Sequence, residues 1–305
     1  MNQADAERNP NYVRGIFFVL VTTLLWGFLP IILKLALTQF SAGTIAWFRF
    51  LFAFTILFLI LSCNGSRPSG ILFKPPLLGI LAGASLSANY FGMTEAVNLS
   101  SPSNAAILIQ LAPVMLAIVG VLFFRERLTR RQLIGFVVAG AGFYLFYLDQ
   151  QENVKNLDLY SSATMYLVFA AAVWVLYISC QKILSRSFGA QILNLLVYGV
   201  AAVVLVPKVH WAEFSDIGWK AWTVLVVLGI NTLLAYGALA ESVKYVPLTI
   251  ISPIITLNPL ITISGMLILP QFSSGRLIPE IIGQWGYFGA ITAVAGVLLV
   301  IARKK

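Results

Sequence analysis

The sequence YFGMTEAV at residues 90–97 recurs as YGALAESV at residues 236–243. Aligning the two segments pairs identical residues that lie 146 positions apart, and the same spacing continues into the next apolar segment. The identical pairs are Tyr90 and Tyr236, Glu95 and Glu241, Val97 and Val243, and Pro113 and Pro259. A constant spacing held through two segments in order predicts that the chain contains an internal duplication.

Two further segments extend this duplication in both directions along the chain. At a spacing of 148 residues, Trp26 and Lys34 match Trp174 and Lys182. At a spacing of 154 residues, Gly135, Ala141 and Gly142 match Gly289, Ala295 and Gly296. We therefore predict a first repeat over residues 1–150 and a second over residues 158–305. The alternative is a chance recurrence of Trp, Pro and Gly among apolar helices.

The composition is that of a membrane protein. The chain of 305 residues is 59% hydrophobic and 10% charged, and its mean hydropathy is +0.90. Soluble domains are typically about 45–50% apolar and about 25% charged. Runs of about 20 apolar residues, the length that crosses a bilayer as a helix, predict ten spans. They cover residues 13–37, 42–62, 76–97, 102–124, 132–148, 160–182, 189–207, 220–243, 248–270 and 282–302.

The Lys and Arg residues collect in alternate loops between these spans. With a cytoplasmic N-terminus, fourteen of the 20 Lys and Arg residues lie on the cytoplasmic side, five lie on the other side, and Arg49 lies within a span. The positive-inside rule then predicts a multi-pass protein of the cell (inner, cytoplasmic) membrane with both termini in the cytoplasm. Because each half has five spans, the second copy is inverted, and inverted repeats are typical of secondary transporters.

Three segments resemble a known family. Leu25-Trp-Gly27, Ala46-Trp-Phe-Arg49 and the turn Phe124-Arg-Glu-Arg-Leu-Thr129 look like motifs of the EamA-like branch of the drug/metabolite transporter superfamily. The resemblance implies an all-α membrane protein of ten transmembrane helices, arranged as two inverted five-helix repeats around a central cavity. It also implies a carrier of small metabolites, amino acids or related compounds, and the branch includes exporters. The second copy lacks the Arg-Glu-Arg-Leu-Thr turn, so nothing is carried over to that loop.

Polar side chains inside the predicted spans are candidates for binding a substrate, because polar groups within a bilayer are costly. Ser103 and Gln110 share one face of the fourth helix, and the repeat maps them onto Thr249 and Thr256 of the ninth. The remaining candidates add amide, hydroxyl and aromatic groups: Trp26, Asn89, Tyr90, Trp174, Tyr177, Asn231, Tyr236 and Ser252. The alternative for each polar residue is a hydrogen bond to a neighbouring helix, and for each aromatic residue a place in the core or at the membrane interface.

A second set of residues is predicted to act in gating or coupling. Its members are Lys34, Arg49, Glu95, Lys182, Glu241, Pro113 and Pro259. The two prolines each remove a backbone donor and can kink a helix. Lys34 with Glu95, and Lys182 with Glu241, lie at opposite ends of the molecule and could form two gates, or their side chains could simply reach the membrane surface. Arg49 lies roughly 10 Å into its span at 1.5 Å per residue, and Glu95 is its predicted partner.

The sequence therefore favours alternating access between two inverted halves, and the resemblance implies that the direction is export. An exchanger of phosphorylated sugars or nucleotide sugars is the alternative, although it would need several deep cations. A membrane enzyme is disfavoured because no G-x-S-x-G, H-E-x-x-H or P-loop sequence occurs, and a channel because no ring of charge does. We predict no cofactor, no metal site and no nucleic-acid partner; a small-molecule substrate and the lipid bilayer are the expected partners. Glycines of the fifth and tenth helices, including Gly283, Gly286 and Gly289, would also permit a homodimer.

Overall fold

The computed structural model describes residues 12–64, 69–124, 129–153, 156–215, 217–246, 251, 254–272 and 277–301. The helices of the first half are α1 (Tyr12–Ala36), α2 (Ala42–Cys63), α3 (Leu77–Leu99), α4 (Pro102–Leu108), α5 (Leu111–Phe124) and α6 (Arg130–Asn153). Those of the second half are α7 (Leu157–Leu184), α8 (Ala190–Leu205), α9 (Trp219–Tyr245), α10 (Asn258–Ile268) and α11 (Gln284–Ile301). Short helical segments connect some of them, at Ser69–Phe73, Val206–Lys208, Trp211–Phe214 and Leu269–Phe272.

The helices have the length and the surface of membrane spans. Six of them, α1, α2, α6, α7, α8 and α9, are individually long and apolar enough to cross a bilayer. Large apolar side chains point away from the protein interior, among them Phe17, Met165 and Phe288. A soluble protein would bury such residues, whereas lipid accepts them. The prediction of an all-α membrane protein is confirmed.

The packing of the helices repeats itself between the halves. The third helix of each half packs along the first helix of the other, α3 on α7 and α9 on α1. Likewise α3 packs on α8, and α9 packs on α2. Helices that correspond to each other also pair directly, α2 with α8 and α6 with α11. These contacts between the halves either occur twice or join helices that correspond to each other, which is the two-repeat layout predicted from the sequence.

The α6 and α11 helices approach each other most closely because glycines line their contact. A Cβ atom on Gly142 would meet the backbone of Ala293, and one on Gly296 would meet the backbone of Ala139. Gly289 likewise faces the backbone of Phe146. Absence of a side chain lets two helix backbones touch in this way. The glycines that suggested a homodimer are thus in contact within one chain, and the homodimer itself stays a prediction.

The predicted span over residues 102–124 is not one helix. It is interrupted at Ile109 and Gln110, and α5 begins again at Leu111 with Pro113 in its first turn. Proline at position 113 cannot donate to the carbonyl of Ile109 and its ring would clash there. Tighter hydrogen bonds of the three-residue type form instead. The backbone N–H of Gln110 donates to the oxygen of Ile107 (3.1 Å), and the N–H of Ala112 donates to the oxygen of Ile109 (3.0 Å).

The second copy is interrupted at the equivalent place. A turn at Thr256 and Leu257 precedes α10, whose second residue is Pro259. The N–H of Leu257 donates to the oxygen of Ile254 at 3.1 Å, again a bond of the tighter three-residue type. The predicted span over residues 248–270 is therefore corrected in the same way, within the residues described. Kinks were expected at the two prolines, and the structure has complete breaks.

Candidate substrate site between the two repeats

Hydrogen bonds between the halves reveal how closely the two copies correspond. The side-chain amide of Asn89 on α3 donates to the carbonyl oxygen of Ala170 on α7 (2.9 Å). On the other side, the hydroxyl of Thr22 on α1 donates to the carbonyl oxygen of Ala235 on α9 (3.1 Å). Thr22 precedes Ala170 by 148 positions and Asn89 precedes Ala235 by 146, which are the spacings of the repeat. The same two repeat positions are therefore hydrogen-bonded to each other twice. The donor is at one of these positions in the bond from Asn89 to Ala170, and at the other position in the bond from Thr22 to Ala235.

The two broken helices meet between the halves. The side-chain Nε2 of Gln110, at the break of the first copy, donates to Oδ1 of Asn258 at the start of α10 (2.8 Å). Four residues further along α10, the hydroxyl of Thr262 donates to the carbonyl oxygen of Gly27 on α1 (2.6 Å). Gly27 has no side chain, and a Cβ atom there would collide with Ile261. Polar groups freed by the two breaks are thus gathered at one place in the interior.

Next to this meeting point lies a cluster of aromatic side chains, which we call the aromatic cluster: Trp26, Phe50, Tyr90, Tyr198 and Tyr236. The ring of Tyr236 lies 5.5 Å from Trp26, 6.2 Å from Tyr198 and 6.4 Å from Tyr90, centroid to centroid. The ring of Phe50 lies 4.5 Å from Tyr90. These rings come from both halves, and aromatic pairs at such separations are mutually attractive.

Arg49 is buried beside the aromatic cluster, as its depth in the span predicts. Only 1% of its surface is exposed. The guanidinium carbon lies 4.4 Å from the centroid of the Tyr90 ring, a cation–π contact, and Nε donates to the hydroxyl of Thr232 at 2.9 Å. Thr232 lies on α9, so Arg49 links α2 of one half to the other half.

The predicted ion pair between Arg49 and Glu95 is not formed. Glu95 accepts a hydrogen bond from the side chain of Asn98, 3.3 Å away and one turn along the same helix. Arg49 instead reaches Tyr90, which lies five residues before Glu95 on α3 and therefore deeper in the bundle.

Three more predicted residues surround the aromatic cluster. The amide of Asn231 is 3% exposed and donates from Nδ2 to the carbonyl oxygen of Leu25 (2.8 Å). The hydroxyl of Tyr177 accepts from the amide of Gln181 (2.9 Å), and Trp174 packs against the same group of buried side chains. The structure therefore brings together Trp26, Tyr90, Trp174, Tyr177, Asn231 and Tyr236.

Other predicted residues lie at the end of the bundle marked by Lys34, which we call the Lys34 end. The Lys34 ammonium donates to the carbonyl oxygens of Val97 (2.8 Å), Asn98 (3.2 Å) and Ser100 (2.9 Å). These groups end α3, and a cation there also complements the helix dipole. The predicted gate between Lys34 and Glu95 is therefore not formed, because the Lys34 donors are bound to the backbone.

Ser103 also lies at the Lys34 end, at the start of α4 and seven residues before Gln110. Its backbone N–H donates to Oε1 of Glu280, which precedes α11, at 3.2 Å. Burial raises the pKa of Glu280 above its ordinary value of 4.5, and the bond from Ser103 and the charge of Lys34 oppose this rise. This carboxylate joins the second half of the molecule to the first.

The remaining predicted site residues lie partly outside and partly inside the described ranges. Thr249 and Ser252 lie outside the described residues. Thr256 is buried in the turn before α10, equivalent to Gln110 in the first copy. Lys182 and Glu241 lie near the ends of α7 and α9, at the places that the repeat assigns to them. Pro113 and Pro259 follow the two breaks.

Sequence reasoning missed four residues of this region: Tyr198, Thr232, Asn258 and Glu280. Tyr198 and Thr232 sit within apolar helices and look like ordinary core residues. Asn258 had a signal, because an amide beside Pro259 in a predicted span needs a partner. Glu280 was read only as a loop charge. Within the described ranges, no group of three His, Cys, Asp or Glu residues is placed to hold a metal ion.

The comparisons with known proteins agree with this architecture. The model of the EamA-like transporter family matches the chain twice, over residues 13–148 and 161–302. The chain is 31% identical over 286 residues to an uncharacterized transporter of Haemophilus influenzae, covering 93% of this chain and 94% of that one. It is 30% identical over 292 residues to the uncharacterized inner membrane transporter YhbE of Escherichia coli K12, covering 93% and 90%.

A solved crystal structure has the same fold at low sequence similarity. It is 15% identical to this chain, with a TM-score of 0.64, and the alignment covers 94% of this chain and 97% of the other. The family model spans both halves of the molecule, and the relatives match along nearly their whole length. The protein is a multi-pass membrane transporter by these criteria, and the chain belongs to the EamA-like transporter family.

Proposed function

We propose that the protein is a secondary transporter that moves small metabolites, amino acids or related compounds, out of the cell by alternating access. The observation that carries this proposal is the hydrogen bond between Gln110 and Asn258, which joins the broken helix of one half to that of the other. Broken helices of two repeats that meet in the interior are the usual setting of a transport site. The solute would bind there, against the aromatic cluster.

The proposed movement uses the equivalence of the two halves. Each half packs on the other through two equivalent interfaces, α3 with α7 and α9 with α1. The bond between Glu280 and the Ser103 backbone crosses from one half to the other at the Lys34 end. We assign it to a gate that is closed in this conformation. The charge distribution supports cytoplasmic termini, which place the Lys34 end outside.

Chemistry of the interior favours amino acids over phosphorylated solutes. Amide, hydroxyl and aromatic groups surround the proposed site, and these suit a solute that both donates and accepts hydrogen bonds. Arg49 is the cation buried there. A phosphate dianion is normally held by several cations or a bidentate pair of them, so the exchanger of phosphorylated or nucleotide sugars is the weaker candidate.

Counterflow in proteoliposomes tests the proposed function. Vesicles containing the purified protein are loaded with one unlabelled amino acid at a time, and uptake of the labelled form is followed. We expect saturable uptake that is accelerated by the internal solute. Flux that rises linearly with concentration would indicate a channel, and exchange of sugar phosphates alone would favour the other candidate. Absence of flux for all of these solutes would contradict the proposal.

The direction of transport needs a separate measurement. Cells that overproduce the protein are preloaded with the solute identified above, and its loss to the medium is timed. We expect faster loss than from cells that produce the Gln110→Ala variant. Faster accumulation from the medium, with no faster loss, would contradict export and leave the carrier mechanism standing.

A further inference from the structure

We propose that Arg49 binds a single carboxylate group of the transported solute, and that the aromatic cluster holds the apolar part of the same molecule. This inference rests on the proposed function, because it names the solute class of that site. It adds to the proposed function the residue that binds the solute and the charge of the group that is bound.

The charge of Arg49 lacks a counter-ion in the described part of the chain. The side chain is buried, its Nε donates to Thr232, and its Nη2 is buried without a hydrogen-bond partner. The face of Tyr90 supplies partial compensation through its π-electrons. Burying a charge without an opposite charge costs several kcal/mol, and such residues inside membranes normally serve transport. An anion bound to Arg49 would remove this cost.

The geometry of the guanidinium selects a carboxylate. Because Thr232 occupies Nε, the buried Nη2, which has no hydrogen-bond partner, lies at the end of the guanidinium that is left for the solute. A guanidinium presents its N–H groups in a fixed planar fork, which matches the two oxygens of a carboxylate. Thr232 and Tyr90 hold the plane of the guanidinium from two sides, so this end is fixed before the solute arrives.

A second buried polar atom without a partner is Oδ1 of Asn231, the residue before Thr232 in α9. Asn231 donates from Nδ2 to Leu25, which fixes the amide orientation, and its Oδ1 accepts no hydrogen bond. A buried acceptor left unsatisfied is unfavourable, because it has lost its hydrogen bonds to water. An ammonium or hydroxyl group on the solute would satisfy it. Donors on Arg49 and an acceptor on Asn231 together match a solute that carries a carboxylate and an N–H or O–H group.

The solute is expected to carry one negative charge rather than two. The ammonium of Lys34 on α1 already donates to three carbonyl oxygens at the Lys34 end. A phosphate dianion bound to Arg49 alone would leave one negative charge buried, whereas a carboxylate is neutralised.

The test compares three probes that share a phenyl ring: benzoate, benzamide and phenyl phosphate. Their binding to the purified full-length protein is measured by thermal shift and by equilibrium titration. We expect the wild type to bind benzoate at least about tenfold more tightly than benzamide, a difference of about 1.4 kcal/mol. Equal binding of these two, or tighter binding of phenyl phosphate than of benzoate, would overturn the proposal.

Variants then assign this preference to Arg49. Arg49→Gln removes the charge and should abolish the preference for benzoate. Arg14→Gln is the matched control, because Arg14 also lies over aromatic rings, 5.7 Å from Phe18 and Tyr245, but is exposed. The control should retain the wild-type preference. Persistence of the preference in Arg49→Gln would refute the assignment.

A charge-conserving variant covers the case in which Arg49→Gln does not fold. Arg49→Lys keeps one positive charge but loses the planar pair of donors, so the preference for benzoate should shrink at least threefold. An unchanged preference would overturn the proposal. Transport is measured separately: benzoate binding through Arg49 without amino-acid counterflow would refute the proposed function only. Amino-acid counterflow with unaltered affinity in Arg49→Gln would refute only the role of Arg49.

Discussion

Gln110 and Asn258 lie 148 positions apart, and a side-chain hydrogen bond of 2.8 Å joins them where the helices of both halves are broken. Both residues belong to the segment that the repeat places near the axis between the copies. The bond therefore couples the two breaks, so a change of conformation at one break should affect the conformation of the other.

A double-mutant cycle measures this coupling. Gln110→Ala and Asn258→Ala should each lower the stability of the folded protein, because each removes the bond, and Asn258→Ala also leaves the buried amide of Gln110 without its acceptor. The double variant should lose less than the sum of the two, with a coupling free energy of about 1 kcal/mol. Thermal unfolding in detergent gives the values. Gln271→Ala is the control, since Gln271 is exposed and bonds within its own helical segment at 3.3 Å. Additive losses would show that the bond contributes nothing.

Restoring a backbone donor after either break should slow transport. In Pro113→Ala and Pro259→Ala the new N–H can bond four residues back, to Ile109 or Ile255, and make the helix continuous. We expect turnover in counterflow to fall by about fivefold to tenfold, a rise in barrier of about 1 kcal/mol, while the half-saturation concentration changes little. Pro30→Ala is the control, because α1 continues through Pro30 without a break. Turnover equal to that of Pro30→Ala would remove the breaks from the mechanism.

Gly142 and Gly140 lie on opposite faces of α6, and their alanine variants form a matched pair. Gly142→Ala places a methyl group against the backbone of Ala293 and should destabilise the protein by about 1–3 kcal/mol. Gly140→Ala meets no atom within 4 Å and should be neutral or stabilising by about 0.5–1 kcal/mol, because alanine is the better helix former. Thermal unfolding of both variants checks the sign. Equal effects would mean that α6 and α11 are not in close contact.

Glu280 should make stability depend on pH. Burial raises its pKa in the folded protein, so the folded state binds the proton more tightly than the unfolded state. Its stabilising contribution is then full below the ordinary value of 4.5 and is lost as the pH rises through the raised pKa. Relative to Glu280→Gln, the wild type should therefore lose thermal stability above pH 4.5 and then level off.

Parallel curves for the wild type and Glu280→Gln would contradict a raised pKa, whatever the effect of Glu280→Gln on transport.

The sequence predicts the helices well because their physical cause is local. Apolar runs of about 20 residues and matched spacings such as Trp26 with Trp174 require no knowledge of the packing. The breaks at Gln110 and Thr256 were harder to foresee. A proline in the sequence shows that one backbone hydrogen bond is missing. Whether the helix bends or stops depends on which neighbouring groups donate to the freed carbonyl groups.

The partner of Arg49 shows a second limit of the sequence. Its depth could be predicted from its distance to the start of the span, whereas its partner could not. Glu95 was chosen because opposite charges attract and because it lies on the next helix. The actual donor–acceptor bond is to Thr232, which is 183 positions away and belongs to the other half. A threonine in an apolar helix carries no sign that it will meet a cation.

The backbone contact between α6 and α11 has a mechanical consequence. Side chains make many of the other helix contacts, such as Phe52 against Gly229 and Leu196 against Gly79, and side chains can change rotamer and allow one helix to slide on another. At Gly142 and Gly296 no side chain exists to rearrange, so any sliding would force backbone atoms into each other. We therefore expect this pair to be the stationary frame of the molecule, with each group of remaining helices turning against it as one rigid unit.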